Sequence, residues 1–134
     1  MFCIAYNLKH AGYIMKKIER ELLKGAGLIA VMRLLETGEK YGYELVDELV
    51  ERTGGYLAMN QSTLYPMLYN LEAKGHVVSR VDRSGSRPRR YYRLTEKGKT
   101  KLAGDLEQWN QLVKAMNAIQ QPVGGTALEM GGVA

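Results

Sequence analysis

Residues 60–94, NQSTLYPMLYNLEAKGHVVSRVDRSGSRPRRYYRL, constrain the fold more than any other stretch, because they join one amphipathic helix to a hairpin carrying six arginines. Leu64, Met67, Leu68 and Leu71 recur at i, i+3, i+4 and i+7, one apolar stripe on a 3.6-residue repeat. The same repeat puts Ser62, Pro66, Tyr69 and Ala73 opposite that stripe and Tyr65 on its flank. The outward face is then small, hydroxylated and aromatic, and nearly free of acid. A face that lies against a polyanion must be so, since an acidic side chain there would meet phosphate. An ordinary amphipathic surface helix shows the same stripe; the hairpin separates the two readings.

In that hairpin Val77, Ser79 and Val81 alternate, Ser84-Gly85-Ser86 supplies a turn, and Tyr92 and Leu94 share one face of the returning strand. Pro88 lies near the start of that strand, where a missing N–H is tolerated. Asp82 is the one acid between Val77 and Leu94. Over residues 60–101 ten basic residues stand against three acids, a net of +7, whereas the whole chain carries +5. Six like charges on one hairpin repel each other, which favours a polyanionic partner over a purely structural role.

The remaining elements spell the rest of a domain. Leu28, Val31, Met32 and Leu35 form the first helical stripe, with Ile18, Leu22 and Ile29 nearby; Gly25 and Gly27 interrupt it and predict a bend. Thr37-Gly38 ends that helix. Tyr41-Gly42-Tyr43 leads into a second, with Leu45, Val46, Leu49 and Val50 on one side and Thr53-Gly54-Gly55 as its close. Residues 56–59 read as a short extended connector into the third helix. That helix starts at Gln61 or Ser62: capping by Asn60 would leave Pro66 well inside, whereas capping by Ser62 would bring it near the first turn. Two short helices, a tight connector, a third helix and a hairpin make a winged helix-turn-helix. The fold class expected is mainly α with a small β-hairpin wing.

After Leu94, Thr95 is a candidate N-cap for a last helix, although Gly98 at its third position denies it a capping box. Leu102, Leu106, Trp109, Val113 and Met116 step by 4, 3, 4 and 3, the spacing of helices that pack on each other. These five are the expected dimerisation residues. The domains expected are an extension over 1–17 without its own fold, the winged unit over 18–94, the pairing helix over 95–120, and a glycine-rich disordered tail over 121–134. Met15, followed by KKIEREL, is a second plausible start.

Composition narrows the function. One cysteine, Cys3, forms no internal disulfide, which fits a reducing cytoplasm. No apolar run approaches the roughly 18 to 20 residues of a membrane span. His10, His76 and Cys3 show no metal-ligand spacing, and no nucleophile–histidine–acid arrangement or phosphate-cradling glycine loop appears. No enzyme and no cofactor are expected. A winged-helix adaptor that binds protein instead of DNA is the competing class, and an acidic third helix would mark it. RNA is a weaker rival without an aromatic sheet patterned for base stacking.

Several stretches carry a resemblance. Gly42-Tyr43-Glu44-Leu45, Ser62-Thr63-Leu64-Tyr65-Pro66, Leu71-Glu72-Ala73-Lys74-Gly75 and residues 87–98 (RPRRYYRLTEKG) resemble the PadR family of bacterial transcriptional regulators. Glu21-Leu22-Leu23-Lys24-Gly25 and Trp109 match too, so the resemblance spans about residues 18 to 119. It implies a dimeric winged helix-turn-helix that represses transcription until a ligand or other signal releases it, with the last helix as the dimer contact. It also implies DNA contact by Thr63 and Tyr65 from the third helix and by Arg89 with Arg90 from the wing. The full candidate DNA-binding set is Gln61, Ser62, Thr63, Tyr65, Tyr69, Arg87, Arg89 and Arg90. Tyr69 and Asn70 stand where the family commonly has basic residues, and Arg87 where it often has glycine. Fewer phosphate contacts from the helix, and more from the wing, are the expected result. Near a dimer axis Trp109 would face its own copy and admit a planar aromatic or phenolic ligand between two indoles.

Overall fold

A computed structural model of the chain describes residues 18–123; the expectations for residues 1–17 and 124–134 lie outside the described residues. The first stripe forms α1 (Arg20–Leu35). Val31, Met32 and Leu35 are buried as the stripe requires, together with Leu34, whereas Leu22 faces outward. The bend expected at the two glycines does not break the helix, which runs through both. Gly27 is buried and packs closely, since a Cβ on it would sit 3.0 Å from Met59 Cε, the free end of that side chain.

A strand that the sequence did not announce follows: β1 (Lys40–Tyr41) runs straight into α2 (Gly42–Thr53). Leu45, Val46, Leu49 and Val50 bury the inner side of α2, each such side chain contributing roughly 1.5–3 kcal/mol. Gly54 closes it at φ +63, a left-handed position that glycine adopts without a Cβ clash. The connector is not extended throughout. It begins in a turn over residues 54–57, where the Leu57 N–H donates to the Thr53 hydroxyl at 3.0 Å.

Next comes α3 (Gln61–Ala73), starting at Gln61 but capped by Asn60 rather than Ser62. The Asn60 Oδ1 accepts the Thr63 N–H at 2.9 Å and the Ser62 hydroxyl at 2.7 Å. Pro66 therefore does lie inside the helix, and the Ser62 carbonyl forgoes its helical partner. Leu64, Leu68 and Leu71 are buried and Met67 half-buried.

β2 (Val77–Asp82) and β3 (Arg89–Leu94) pair antiparallel from Val77↔Leu94 to Asp82↔Arg89. β1 adds to the free side of β3, giving the order β1-β3-β2 and a three-stranded sheet where the sequence promised a two-stranded hairpin. Val77, Tyr92 and Leu94 form its inner, buried face.

Last, α4 (Glu96–Gln120) is capped by Thr95, whose hydroxyl oxygen accepts the Gly98 N–H at 3.0 Å and whose hydroxyl donates to the Gly75 carbonyl at 2.6 Å. The chain parts into two compact units after Leu102. The first turns of α4 thus belong to the winged unit, eight residues beyond the expected boundary at Leu94.

Candidate nucleic-acid interface

The outward side of α3 is what its stripe dictates. Ser62, Thr63, Pro66, Tyr69, Asn70 and Ala73 are exposed, and Gln61 is half-buried at the first turn. Tyr65 is 41% exposed, and its phenol tip rests on Gly42 at the start of α2. A Cβ on Gly42 would lie 2.6 Å from Tyr65 Cζ, with the hydroxyl nearer still. Burial pushes the Tyr65 phenol above its usual pKa, and the neighbouring Tyr41 adds to the shift.

The helix's one acid, Glu72, is turned to the wing. Its Oε2 accepts the Ser79 hydroxyl at 2.7 Å, and Ser79 Oγ in turn accepts from Arg90 Nη1 at 3.0 Å. This chain fastens the inner face of the sheet to α3 and brings Arg90 to the helix side. Arg89, one residue earlier on β3, projects to the opposite face. There its guanidinium lies 4.7 Å over the Tyr41 ring. The Tyr41 and Tyr91 rings meet edge-on at 5.5 Å, and Arg80 lies 4.9 Å over Tyr91. Arg80 also forks onto Glu39, with Nε donating at 3.0 Å, and that hydrogen bond chiefly holds the Glu39 carboxyl below its usual pKa. A hydrogen bond to Tyr91 is the main reason Arg89 keeps its proton more firmly than usual.

Asp82, the acid in the hairpin, shapes its tip. Its Oδ1 accepts the Ser84 N–H at 2.9 Å and the Ser84 hydroxyl at 2.7 Å, the first of which does most to lower its pKa. Arg83 and Arg87 flank that turn and are both exposed. The wing thus keeps its cations at the surface and spends its acid on a turn.

The five residues expected to pair divide by exposure. Leu102 is 0% exposed, buried within the winged unit, so it does not serve as an outward pairing residue. Leu106 is half-buried, while Trp109, Val113 and Met116 are exposed, with Leu112 and Ile119 beside them. A cavity of about 740 Å³ lies in the winged unit between α1 and the start of α3, lined by residues that include Leu23, Tyr56, Met59, Thr63 and Met67. Among the described residues there is no cluster of three metal-ligating side chains and no helix long and apolar enough to cross a membrane.

The model of the transcriptional regulator PadR-like family matches residues 31–104, more than half of the chain. The chain belongs to the PadR-like family. It is 31% identical over 106 residues to the transcriptional regulator Rv3488 of Mycobacterium tuberculosis, covering 79% of this chain and 96% of that one. It is 31% identical over 74 residues to the negative transcriptional regulator PadR of Bacillus subtilis, covering 54% of this chain and 41% of that one. A PadR family transcriptional regulator from Eggerthella lenta superposes with a TM-score of 0.67 at 34% identity, covering 74% and 85% of the two chains. This PadR-like protein is therefore a transcriptional regulator and no enzyme, on the winged helical fold its sequence predicted.

The PadR-like motifs pair off in space. Gly42 carries the tip of Tyr65, joining the second-helix motif to the third-helix motif. Thr95 binds the Gly75 carbonyl and Lys97 Nζ donates to the Lys74 carbonyl at 2.8 Å, joining the end of α3 to the start of α4. Sequence reasoning missed Glu39, Tyr41, Ser79 and the task of Asp82. Ser79 and Tyr41 look like ordinary strand and turn residues until β1 is seen to pair. The opposed facing of Arg89 and Arg90 was available, because adjacent strand residues always alternate.

Proposed function

We propose that the protein is a dimeric DNA-binding repressor, released from its operator by a small molecule or other signal. The arrangement that carries this reading is the acid-free face of α3 tied to the basic wing through Glu72, Ser79 and Arg90. The helix and the wing would then engage one duplex together, α3 in the major groove. Gln61, Ser62, Thr63, Tyr65 and Tyr69 face the groove; Arg87 from the turn and Arg90 from the helix side meet phosphate, and Arg89 adds its charge from the far face. Repression is favoured by the likeness to a negative regulator. Pairing through Leu106, Trp109, Val113 and Met116 would present two α3 helices to half-sites about one turn, roughly 34 Å, apart. The cytoplasm is the setting for this activity, and the single cysteine fits its reducing conditions.

The ligand reading rests on Trp109, 37% exposed in the single chain and the one tryptophan in the sequence. A planar aromatic or phenolic compound stacking between two indoles would spread the helices and loosen DNA. Its fluorescence should quench on titration, and Trp109→Ala should stay dimeric but lose the response. A monomeric variant would make Trp109 structural.

The DNA reading is tested by fluorescence anisotropy on the chain's own upstream region across a salt series. Binding should weaken steeply with salt, and Arg90→Ala should flatten the log–log slope by about 0.9. Thr63→Ala should instead reduce discrimination between operator and random duplex. A protein that binds no duplex at low salt is an adaptor, and its partner is another protein.

A further inference from the structure

Tyr41 is held from several sides. It ends β1, pairs with Tyr91 across the sheet, and its N–H donates to Glu44 Oε1 at 2.9 Å at the start of α2. Arg89 covers its ring at 4.7 Å and the Tyr91 ring meets it at 5.5 Å. The next residue, Gly42, is the seat of Tyr65. The dipeptide Tyr41-Gly42 is thus touched by the wing through Arg89 and Tyr91, and by the outward-facing helix α3 through Tyr65. β1 is only two residues long, so its ladder alone is a weak tie. Two parts that must enter neighbouring grooves together gain from a fixed spacing, because a floppy wing gives up binding energy to be ordered.

We infer that Tyr41 is a positioning residue that fixes the wing relative to α3, and that Arg89 serves by clamping Tyr41 rather than by meeting phosphate. This rests on the DNA-binding reading above. It divides two adjacent arginines that look equivalent in sequence: Arg90 works on the duplex, and Arg89 on the protein. An exposed cation–ring contact of this kind is worth roughly a 2–5-fold change in affinity.

The experiment uses the full chain and a fluorescein-labelled random-sequence duplex, with anisotropy titrations at several salt concentrations. Arg89→Ala should bind roughly 2–5-fold more weakly at every salt concentration, with a slope change well under the roughly 0.9 of a lost phosphate contact. Arg90→Ala should show that full change in slope. Tyr41→Ala, which also loses the Tyr91 ring contact, should bind at least as weakly as Arg89→Ala, the double variant should lose less than the sum of the two single losses, and Tyr41→Phe, which keeps the ring, should bind like the wild type. The inference is overturned if Arg89→Ala flattens the slope as Arg90→Ala does, if it leaves binding unchanged, or if the two losses add. Should Tyr41→Ala fail to fold, the Arg89→Ala slope and the Tyr41→Phe affinity decide alone. Wild-type protein without salt-dependent binding would overturn the DNA reading and this inference with it, whereas normal wild-type binding confines a failure to the clamp.

Discussion

Gly98→Ala should destabilise the protein although alanine is the better helix former. Gly98 lies in the first turn of α4, where the helix crosses the start of β2. A Cβ there would lie 3.0 Å from the His76 carbonyl carbon and 3.1 Å from Leu94 Cδ2, with the His76 oxygen closer than either. That oxygen cannot swing aside, because it accepts the Thr95 N–H at 3.1 Å and the strand pairing begins one residue later at Val77↔Leu94. Alanine must therefore push against the start of β2 and break the Thr95 bond as the helix lifts. Overpacking costs about 1–3 kcal/mol and the bond about 1 kcal/mol, while relief of glycine's helix penalty returns about 1 kcal/mol. The net is about 1–3 kcal/mol, a fall in Tm on the order of 10 °C for a domain of this size. Urea unfolding at fixed protein concentration measures it, with Gly104→Ala as the control. Gly104 is in the same helix, but a Cβ there meets nothing within 4 Å, so that variant should be unchanged or up to about 1 kcal/mol more stable. Equal behaviour of the two variants would refute the steric reasoning.

Gly42→Ala makes a useful contrast, because the obstacle there is the free end of Tyr65 rather than backbone. It should cost little stability by urea unfolding yet change duplex affinity in the anisotropy assay, since Tyr65 must swing off its seat. Asn60→Ala removes the acceptor of the Thr63 N–H and should lower stability by about 1 kcal/mol, within the range of such caps. Asp82 has its pKa lowered by the Ser84 bonds, so the order it gives the wing tip is present above its ordinary pKa of 3.8 and is lost as pH falls through the lower folded value. NMR shifts of the Ser84 amide should follow that titration, and in Asp82→Ala they should be flat over the same range.

Periodicity alone determined much of this protein. The stripes of α1, α2 and α3 specified three helices that share a core, and the alternation of Val77, Ser79, Tyr92 and Leu94 specified a strand pair with one buried face, because burial repeats with the period of each element. The charge of the wing and the acid-free face of α3 were equally legible, since both are sums over local residues. What only the tertiary structure decided depends on residues distant in the chain. The third strand exists because Lys40 and Tyr41 find Tyr92 and Tyr91 some fifty residues on, a pairing that two residues cannot announce. Leu102 fits a heptad as well as Val113 does, yet Leu102 is buried within the winged unit and Val113, in the second unit, is exposed. Gly98 reads as a flaw in a helix start until the His76 carbonyl is seen beneath it. Local sequence fixes which residues form an element and which side turns inward; what that side meets is set by long-range packing, where one carbonyl or ring decides the role of a residue.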